Sequence, residues 1–300
     1  MLTLQQLRQV AAQSGARDIA NVEIDVVLTF LLQLFAEKGL MDHLAFKGGT
    51  MLRKMIFGKR GRLSTDLDFT KRSDITIDDL TMMLLEALQE PYHGITFTLD
   101  RDKDWYLTED GSSVNPICAH PENLRGVKIK LQISTRETPV LPVMPRAHLE
   151  QDYFRHLPFA PQDIPCLALE EVIAEKLRAA SQRSKIRDLH DLSEIARFLV
   201  KQDLIRALAV LKLWTVGDQL QYARLRDALH GSKDYEVGDL RNLLRKDQEP
   251  DIKSMIERVC DRFRFLDELT PLERLLVQDT AHKLTGEATV LSEQARGLAG

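Results

Sequence analysis

The sequence predicts a two-lobed protein of the α/β (α+β) class: a first lobe, residues 1–200, built on a short mixed sheet, and a helical second lobe, residues 201–300. Three observations carry this. Segments in which apolar and polar side chains alternate, the period of a strand, stand only in the first half of the chain. Apolar residues at three- and four-residue spacing, the period of a helix, occupy its start and run almost unbroken from Leu167 onward. The change from mixed to all-helical patterning after the segment 188–200 is the one candidate boundary.

Taken in order, Leu4, Leu7 and Val10 recur at helical spacing, and residues 22–38 carry Val26, Val27, Phe30, Leu31, Leu34 and Phe35 on a broad apolar stripe. Residues 43–47 form a candidate strand, 50–57 a short helix and 66–70 a second strand. A helix over 77–89 follows an Asp74 or Thr76 cap. Residues 95–99 and 127–134 alternate and are expected as strands. The polar loop between them contains residues 104–107, which can pair with a sheet edge. Pro139, Pro142 and Pro145 impose an extended segment. A helix over 169–182 and another over 188–200, with Leu189, Leu192, Ile195, Ala196 and Leu199 as its core stripe, lead into the helical lobe. There is no internal repeat and no low-complexity run.

With 41 basic and 45 acidic residues the formal charge is -4, so no global basic field drives nucleic-acid binding and any such contact rests on local patches. Cys118, Cys166 and Cys260 are odd in number, far apart and without a Cys-x-x-Cys pair, which points to a reducing compartment and no zinc site. Residues 28–35 are apolar, but Asp25, Gln33 and Glu37 interrupt them well short of a membrane span. The expectation is a soluble cytoplasmic protein with no membrane partner.

The chemistry concentrates between Phe46 and Phe69. Lys47-Gly48-Gly49-Thr50 is a turn whose glycines allow close backbone approach to a phosphate, and Asp66-Leu67-Asp68-Phe69 puts two carboxylates on one face of a strand, with Leu67 and Phe69 on the other. Two hard anionic ligands suit Mg²⁺ better than a softer metal. Taken alone, the first motif also fits an ordinary tight turn, and the second a strand end whose aspartates face water. Their combination reads as a nucleotide-and-metal site; Ser64, two residues before Asp66 on the same face, fits a further phosphate or nucleotide ligand and equally a solvated strand edge.

Lys47-Gly48-Gly49-Thr50, Arg62-x-Ser64-x-Asp66-Leu67-Asp68-Phe69, Glu170-Glu171-x-x-Ala174-Glu175-Lys176-Leu177-Arg178 and Arg187-Asp188-Leu189-His190-Asp191-Leu192 resemble, in this order, the motifs of the AbiEii/AbiGii toxin family. That family, which includes MenT-like toxins, falls within the polymerase-β-type nucleotidyltransferases. The resemblance covers roughly the first two thirds of the chain; the last third matches nothing. Thr50 stands where the wider superfamily usually has Ser, and fifteen residues separate it from Asp66, a spacing in keeping with the toxins.

The resemblance implies a nucleotidyltransferase-like first lobe and a Mg²⁺-dependent enzyme serving as the toxin of a toxin–antitoxin or abortive-infection pair. Its donor would be an NTP (CTP or another), its acceptor RNA, the tRNA 3′ end included, and its partner a cognate antitoxin. It assigns catalysis to Asp66, Asp68, Lys176 and one of Asp188 and Asp191, which spacing does not separate; metal binding to Asp66 and Asp68; and nucleotide binding to Gly48, Gly49, Thr50, Ser64 and Lys176. Read on its own, Lys176 projects from an apolar stripe, where a cation either meets an anion or snorkels to the stripe edge. Arg187 and Asp191, four apart, also fit a surface ion pair. Basic clusters, the one at Arg178, Arg183, Lys185 and Arg187 among them, fit solvated faces; that one also adjoins Lys176 and suits an RNA backbone. The superfamily's third carboxylate, usually on the neighbouring strand, falls here at Gln132, which cannot act as a base. Transfer of NMP or phosphate to a protein hydroxyl, or a catalytically inert binding protein of the same fold, are the rival readings.

Overall fold

A computed structural model describes residues 1–100, 102–231 and 235–300. Two compact units emerge: residues 1–138, 143–166 and 241–249 form the first, and 139–142, 167–240 and 250–300 the second. The chain therefore changes units after Cys166, earlier than the boundary expected at 200, and the segment 241–249 returns to the first unit.

The first unit contains β1 (Leu44–Lys47), β2 (Asp66–Lys71), β3 (Thr96–Thr98), β4 (Trp105–Thr108), β5 (Gly111–Val114), β6 (Ile117–His120), β7 (Asn123–Lys128), β8 (Lys130–Ser134), β9 (Met144–Arg146) and β10 (Ile164–Cys166). Among the described residues these make a seven-stranded mixed sheet of order β4-β5-β8-β2-β1-β10-β9 and a three-stranded sheet β3-β6-β7. In the central strands parity separates the faces: Leu67, Phe69, Leu131 and Ile133 are buried, while Asp66, Asp68 and Gln132 occupy the alternate positions. The residues at 104–107 do pair at an edge, as β4.

The single strand expected over 127–134 is two. Residues up to Lys128 pair with β6, and from Lys130 the chain pairs with β2 and β5. At the crossing the Ile129 N–H donates to the Pro116 carbonyl at 2.9 Å. Side-chain alternation continues through the switch, so periodicity alone cannot reveal it.

The Ile19–Glu37 helix is long and apolar enough to cross a membrane by length and composition, yet it is mostly buried inside this unit. Its polar residues have internal partners. Lys54 Nζ donates to Asp25 Oδ1 at 2.9 Å and Thr29 Oγ1 at 2.9 Å, and Glu23 Oε1 accepts from the Asn123 side chain at 2.7 Å. Such satisfaction is what lets polar groups sit in a core helix. The helix expected over 50–57 begins earlier, as an α-turn over Gly48–Met51, and continues as a π-helical stretch over Leu52–Phe57 that buries Arg53 and Lys54.

Among its described residues the second unit is helical: Leu169–Gln182, Ile186–Ile195, Gln202–Trp214, Tyr222–Gly231, Ile252–Arg262, Pro271–Gln278 and Thr285–Ala299 are its main helices. Gln202–Trp214 lies at its centre, buried from Leu204 to Leu213. The two cations on that helix are paired: Arg206 Nε with Glu273 at 2.8 Å, and Lys212 Nζ with Glu171 at 2.7 Å. The helix expected over 188–200 stops at Ile195, so Leu199, assigned to its core stripe, is instead 98 % exposed.

Candidate active site

In the first unit the site grows from the strand order. Lys47 is the register partner of Asp68, Asp68 of Gln132, and Gln132 of Ser113. Directly paired residues share a face, so these four polar residues form one row across β1, β2, β8 and β5. Gln132 thus sits on the strand beside Asp68, where the third carboxylate was sought.

The turn that follows β1 fits against this row only because it lacks side chains. Gly48 has φ +78, and a Cβ on it would lie 2.3 Å from Asp68 Oδ2. A Cβ on Gly49 would lie 2.6 Å from Arg62 Nη2 and 3.4 Å from Ser64 Oγ. Thr50 is fully buried and its hydroxyl donates to the Asp66 carbonyl, so it ties the turn to the start of β2. Its hydroxyl proton is thereby committed to the backbone. Ser64 is 1 % exposed and donates to Asp66 Oδ1 at 3.1 Å, orienting that carboxylate.

The oxygen donors gathered here are the Asp66 and Asp68 carboxylates, the Gln132 amide and the Ser64 hydroxyl. No group of three or more His, Cys, Asp or Glu able to hold a metal occurs among the described residues. An all-oxygen set with only two protein anions suits a hard cation that keeps water and phosphate in its remaining positions, as Mg²⁺ does, and does not suit zinc.

The second unit holds the other expected residues. Lys176 Nζ lies 2.8 Å from Asp188 Oδ1 and 2.8 Å from Asp191 Oδ2, and Arg183 Nε lies 3.0 Å from Asp188 Oδ2. Lys176 and both aspartates are largely buried; Arg183 is exposed. Burial pushes the Asp188 carboxyl up, but Lys176 and Arg183 outweigh it and hold the group below its ordinary range. Lys176 has therefore found its anions within the protein, and Asp191 accepts from it instead of standing as a surface partner of Arg187. Two further residues of the Glu170–Arg178 motif make contacts within the second unit. Glu171 accepts the backbone N–H groups of Val140 at 2.9 Å and Leu141 at 3.0 Å as well as Lys212, and the Arg178 guanidinium donates to the Lys212 carbonyl at 3.1 Å.

The motif in the sequence includes Arg62 but gives it no role. The residue is 5 % exposed, its Nη1 donates to the Leu63 carbonyl at 3.1 Å, and its Nη2 faces Gly49. The signal was available: Arg62, Ser64, Asp66 and Asp68 recur with a period of two.

The sequence model of the family described as "Nucleotidyl transferase AbiEii toxin, Type IV TA system" matches residues 29–276. The match thus extends well into the helical last third, which the motifs had left unassigned. In structure the chain is similar to MenT4, a nucleotidyltransferase toxin from Mycobacterium tuberculosis H37Rv, with a TM-score of 0.78 and 24 % identity over 97 % of this chain and 99 % of that one. At that identity the likeness speaks to the fold. It is also matched by JHP933 from Helicobacter pylori, at a TM-score of 0.47 and 19 % identity over 89 % of this chain and 97 % of that one. Among curated protein sequences none matches.

Proposed function

The chain belongs to the AbiEii family of nucleotidyltransferase toxins of type IV toxin–antitoxin systems, and from that premise we propose that it uses Mg²⁺ to transfer NMP from an NTP, CTP or another, to an RNA hydroxyl, the tRNA 3′ end being the acceptor of choice. The single observation that carries the reading is the approach of Gly48 to Asp68. There the missing Cβ lets the backbone of the turn lie directly against the carboxylate of the strand that bears both aspartates. The acceptor oxygen forms a bond to the α-phosphorus, the bond to the bridging oxygen breaks, and pyrophosphate leaves with the electron pair. Mg²⁺ bound by Asp66 and Asp68 would supply Lewis-acid neutralisation of the developing charge.

This chain's own residues do the rest. Ser64 holds the Asp66 carboxylate in place, Thr50 holds the strand that bears it, and Gly48 and Gly49 admit the triphosphate. The resemblance gives Lys176 a phosphate-binding role and one of Asp188 and Asp191 a catalytic one; in the protein as it stands both aspartates are the counter-ions of Lys176. The family places the enzyme with an antitoxin partner, and we place both in the cytoplasm. Incubation with α-labelled NTPs, Mg²⁺ and separate RNA and protein pools tests the reading. Label in RNA, absent with Asp66→Asn, is expected; label in protein alone would overturn the acceptor assignment.

A further inference from the structure

The polar row beside Asp68 does not end at Gln132 and Ser113. Tyr106 on the edge strand β4 is the register partner of Ser113, so the row runs from Asp68 across β8, β5 and β4 on the face that carries both carboxylates. Neighbouring strands lie about 4.8 Å apart, which puts the backbone of Gln132 about 5 Å from that of Asp68 and the backbone of Tyr106 about 14 Å from it. Two residues before Gln132 on the same face of β8, Lys130 is the register partner of Asp66. Lys130 is exposed and Tyr106 is 48 % exposed, so a cation and an aromatic ring reach solvent here. Among the described residues no hydrogen bond or ion pair engages the side chains of Gln132, Lys130 or Tyr106. Ser113 is 2 % exposed and its hydroxyl has no hydrogen-bond partner among them either, although buried polar groups are as a rule paired. This part of the face thus holds hydrogen-bonding capacity, a charge and a ring that the fold itself does not use.

We propose that the β8–β5–β4 face seats the terminal nucleotide of the acceptor RNA: Gln132 hydrogen-bonds the ribose hydroxyl beside the attacking one, Tyr106 stacks on the base, and Lys130 meets a backbone phosphate. The inference rests on the reading of the chain as an NTP-to-RNA transferase whose triphosphate lies at Gly48 and Gly49. In-line displacement puts the entering oxygen opposite the leaving pyrophosphate across the α-phosphorus. The glycine turn follows β1, the carboxylates stand on β2, and β8 lies on the other side of β2 from β1. A pyrophosphate leaving over the turn therefore requires the acceptor to enter from the β8 side, over Gln132. A ribose there carries its base on toward Ser113 and Tyr106. The side chains suit an RNA end, because single-stranded ends are held by stacking on aromatic rings and by contacts to the 2′-hydroxyl, which both donates and accepts. A glutamine amide also does both, whereas a carboxylate at 132 would only accept. Gln132 is therefore a residue of acceptor specificity and not a missing base.

Steady-state NMP transfer by the full chain to tRNA ending in a ribonucleotide, and to the same tRNA ending in a 2′-deoxynucleotide, tests the inference. The wild type should prefer the ribose end by about tenfold in kcat/KM, the scale of one hydrogen bond. Gln132→Leu should lose that preference by falling to the lower rate on both ends. Tyr106→Ala should raise the KM for tRNA about tenfold, the scale of a lost base stack, and Tyr106→Phe, which keeps the ring, should not. The KM for NTP should stay at its wild-type value in both Tyr106 variants, and Lys130→Gln should flatten the salt dependence of the tRNA KM. Equal wild-type rates on the two ends, a preference retained by Gln132→Leu, or an unchanged tRNA KM in folded Tyr106→Ala would overturn the inference and leave the proposed reaction standing. A KM for NTP raised in Tyr106→Ala would give the face to the donor nucleotide and overturn it equally. Transfer by the wild type to protein and not to RNA would overturn the reaction, and this inference with it.

Discussion

Asp66 and Asp68 owe their separate standing to what each touches. Asp66 is held by Ser64 and has Thr50 on its carbonyl, whereas Asp68 is flanked by Lys47, Gln132 and the bare Gly48 backbone. Asp66→Asn and Asp68→Asn keep volume and remove the charge that would bind Mg²⁺, so each should abolish NMP transfer and growth inhibition with little change in melting temperature. A toxic Asp68→Asn variant would remove this row from the chemistry. Gly48→Ala tests the same geometry from the other side. Its Cβ would meet Asp68 Oδ2 at 2.3 Å from a backbone with φ +78. The positive φ alone costs about 1–2 kcal/mol, and displacement of the Asp68 carboxylate should remove activity beyond what that loss explains. Parallel denaturant titration and transfer assays separate the two effects.

At the scale of elements, the Leu169–Gln182 and Ile186–Ile195 helices face one another through a buried charge cluster, Lys176 against Asp188 and Asp191. Removing the lysine would take from Asp188 and Asp191 the buried cation they share and leave Asp188 only the exposed Arg183 of its two cations, so Lys176→Ala should cost about 3–5 kcal/mol of stability. Of the two alternatives that the apolar stripe offers this lysine, an anion or the stripe edge, the structure supplies the anions. The cluster also sets a pH dependence. Because Asp188 is held below its unfolded value, its contribution is fully present above the unfolded pKa of about 3.9 and is lost as pH falls through the lower folded value. Acid unfolding of Asp188→Asn should therefore lack that part of the slope below about pH 4. Transfer assays on Asp188→Asn and Asp191→Asn show whether either serves catalysis. The helix over 169–182 was legible to the residue, since its stripe and its length agree. The buried partners of Lys176 and Lys212 were not, because each ion pair joins residues on different helices and sequence spacing carries no information about such meetings.

At the scale of the whole molecule, local pattern told the central strands, the core helices and the residues that converge on Asp68, because parity and turn chemistry act over a few residues. What it could not tell was which parts of the chain belong together. The strand switch at Ile129 hides inside unbroken alternation, and the return of residues 241–249 to the first unit depends on contacts with residues more than two hundred positions earlier. Arg17 Nη2 donates to the Gln248 carbonyl at 2.8 Å, Lys246 N–H to the Gly15 carbonyl at 2.8 Å, and the Asn21 amide to the Asn242 carbonyl at 3.0 Å. Leu240 and Leu244 are both buried and only one helical turn apart in sequence, yet they belong to different units. Truncating either to alanine should cost about 2–5 kcal/mol, but the damage should appear in different places. Leu244→Ala should raise amide hydrogen exchange in the first unit, in Ile19–Glu37 and in β1 and β2, and disturb the run from Arg62 to Asp66, where the Leu63 N–H donates to the Leu243 carbonyl at 2.9 Å. Leu240→Ala should raise exchange in Leu169–Gln182 and Gln202–Trp214. Local opening follows the contacts a residue makes and not its neighbours in the chain, so identical exchange maps for the two variants would refute the assignment of residues 241–249 to the first unit.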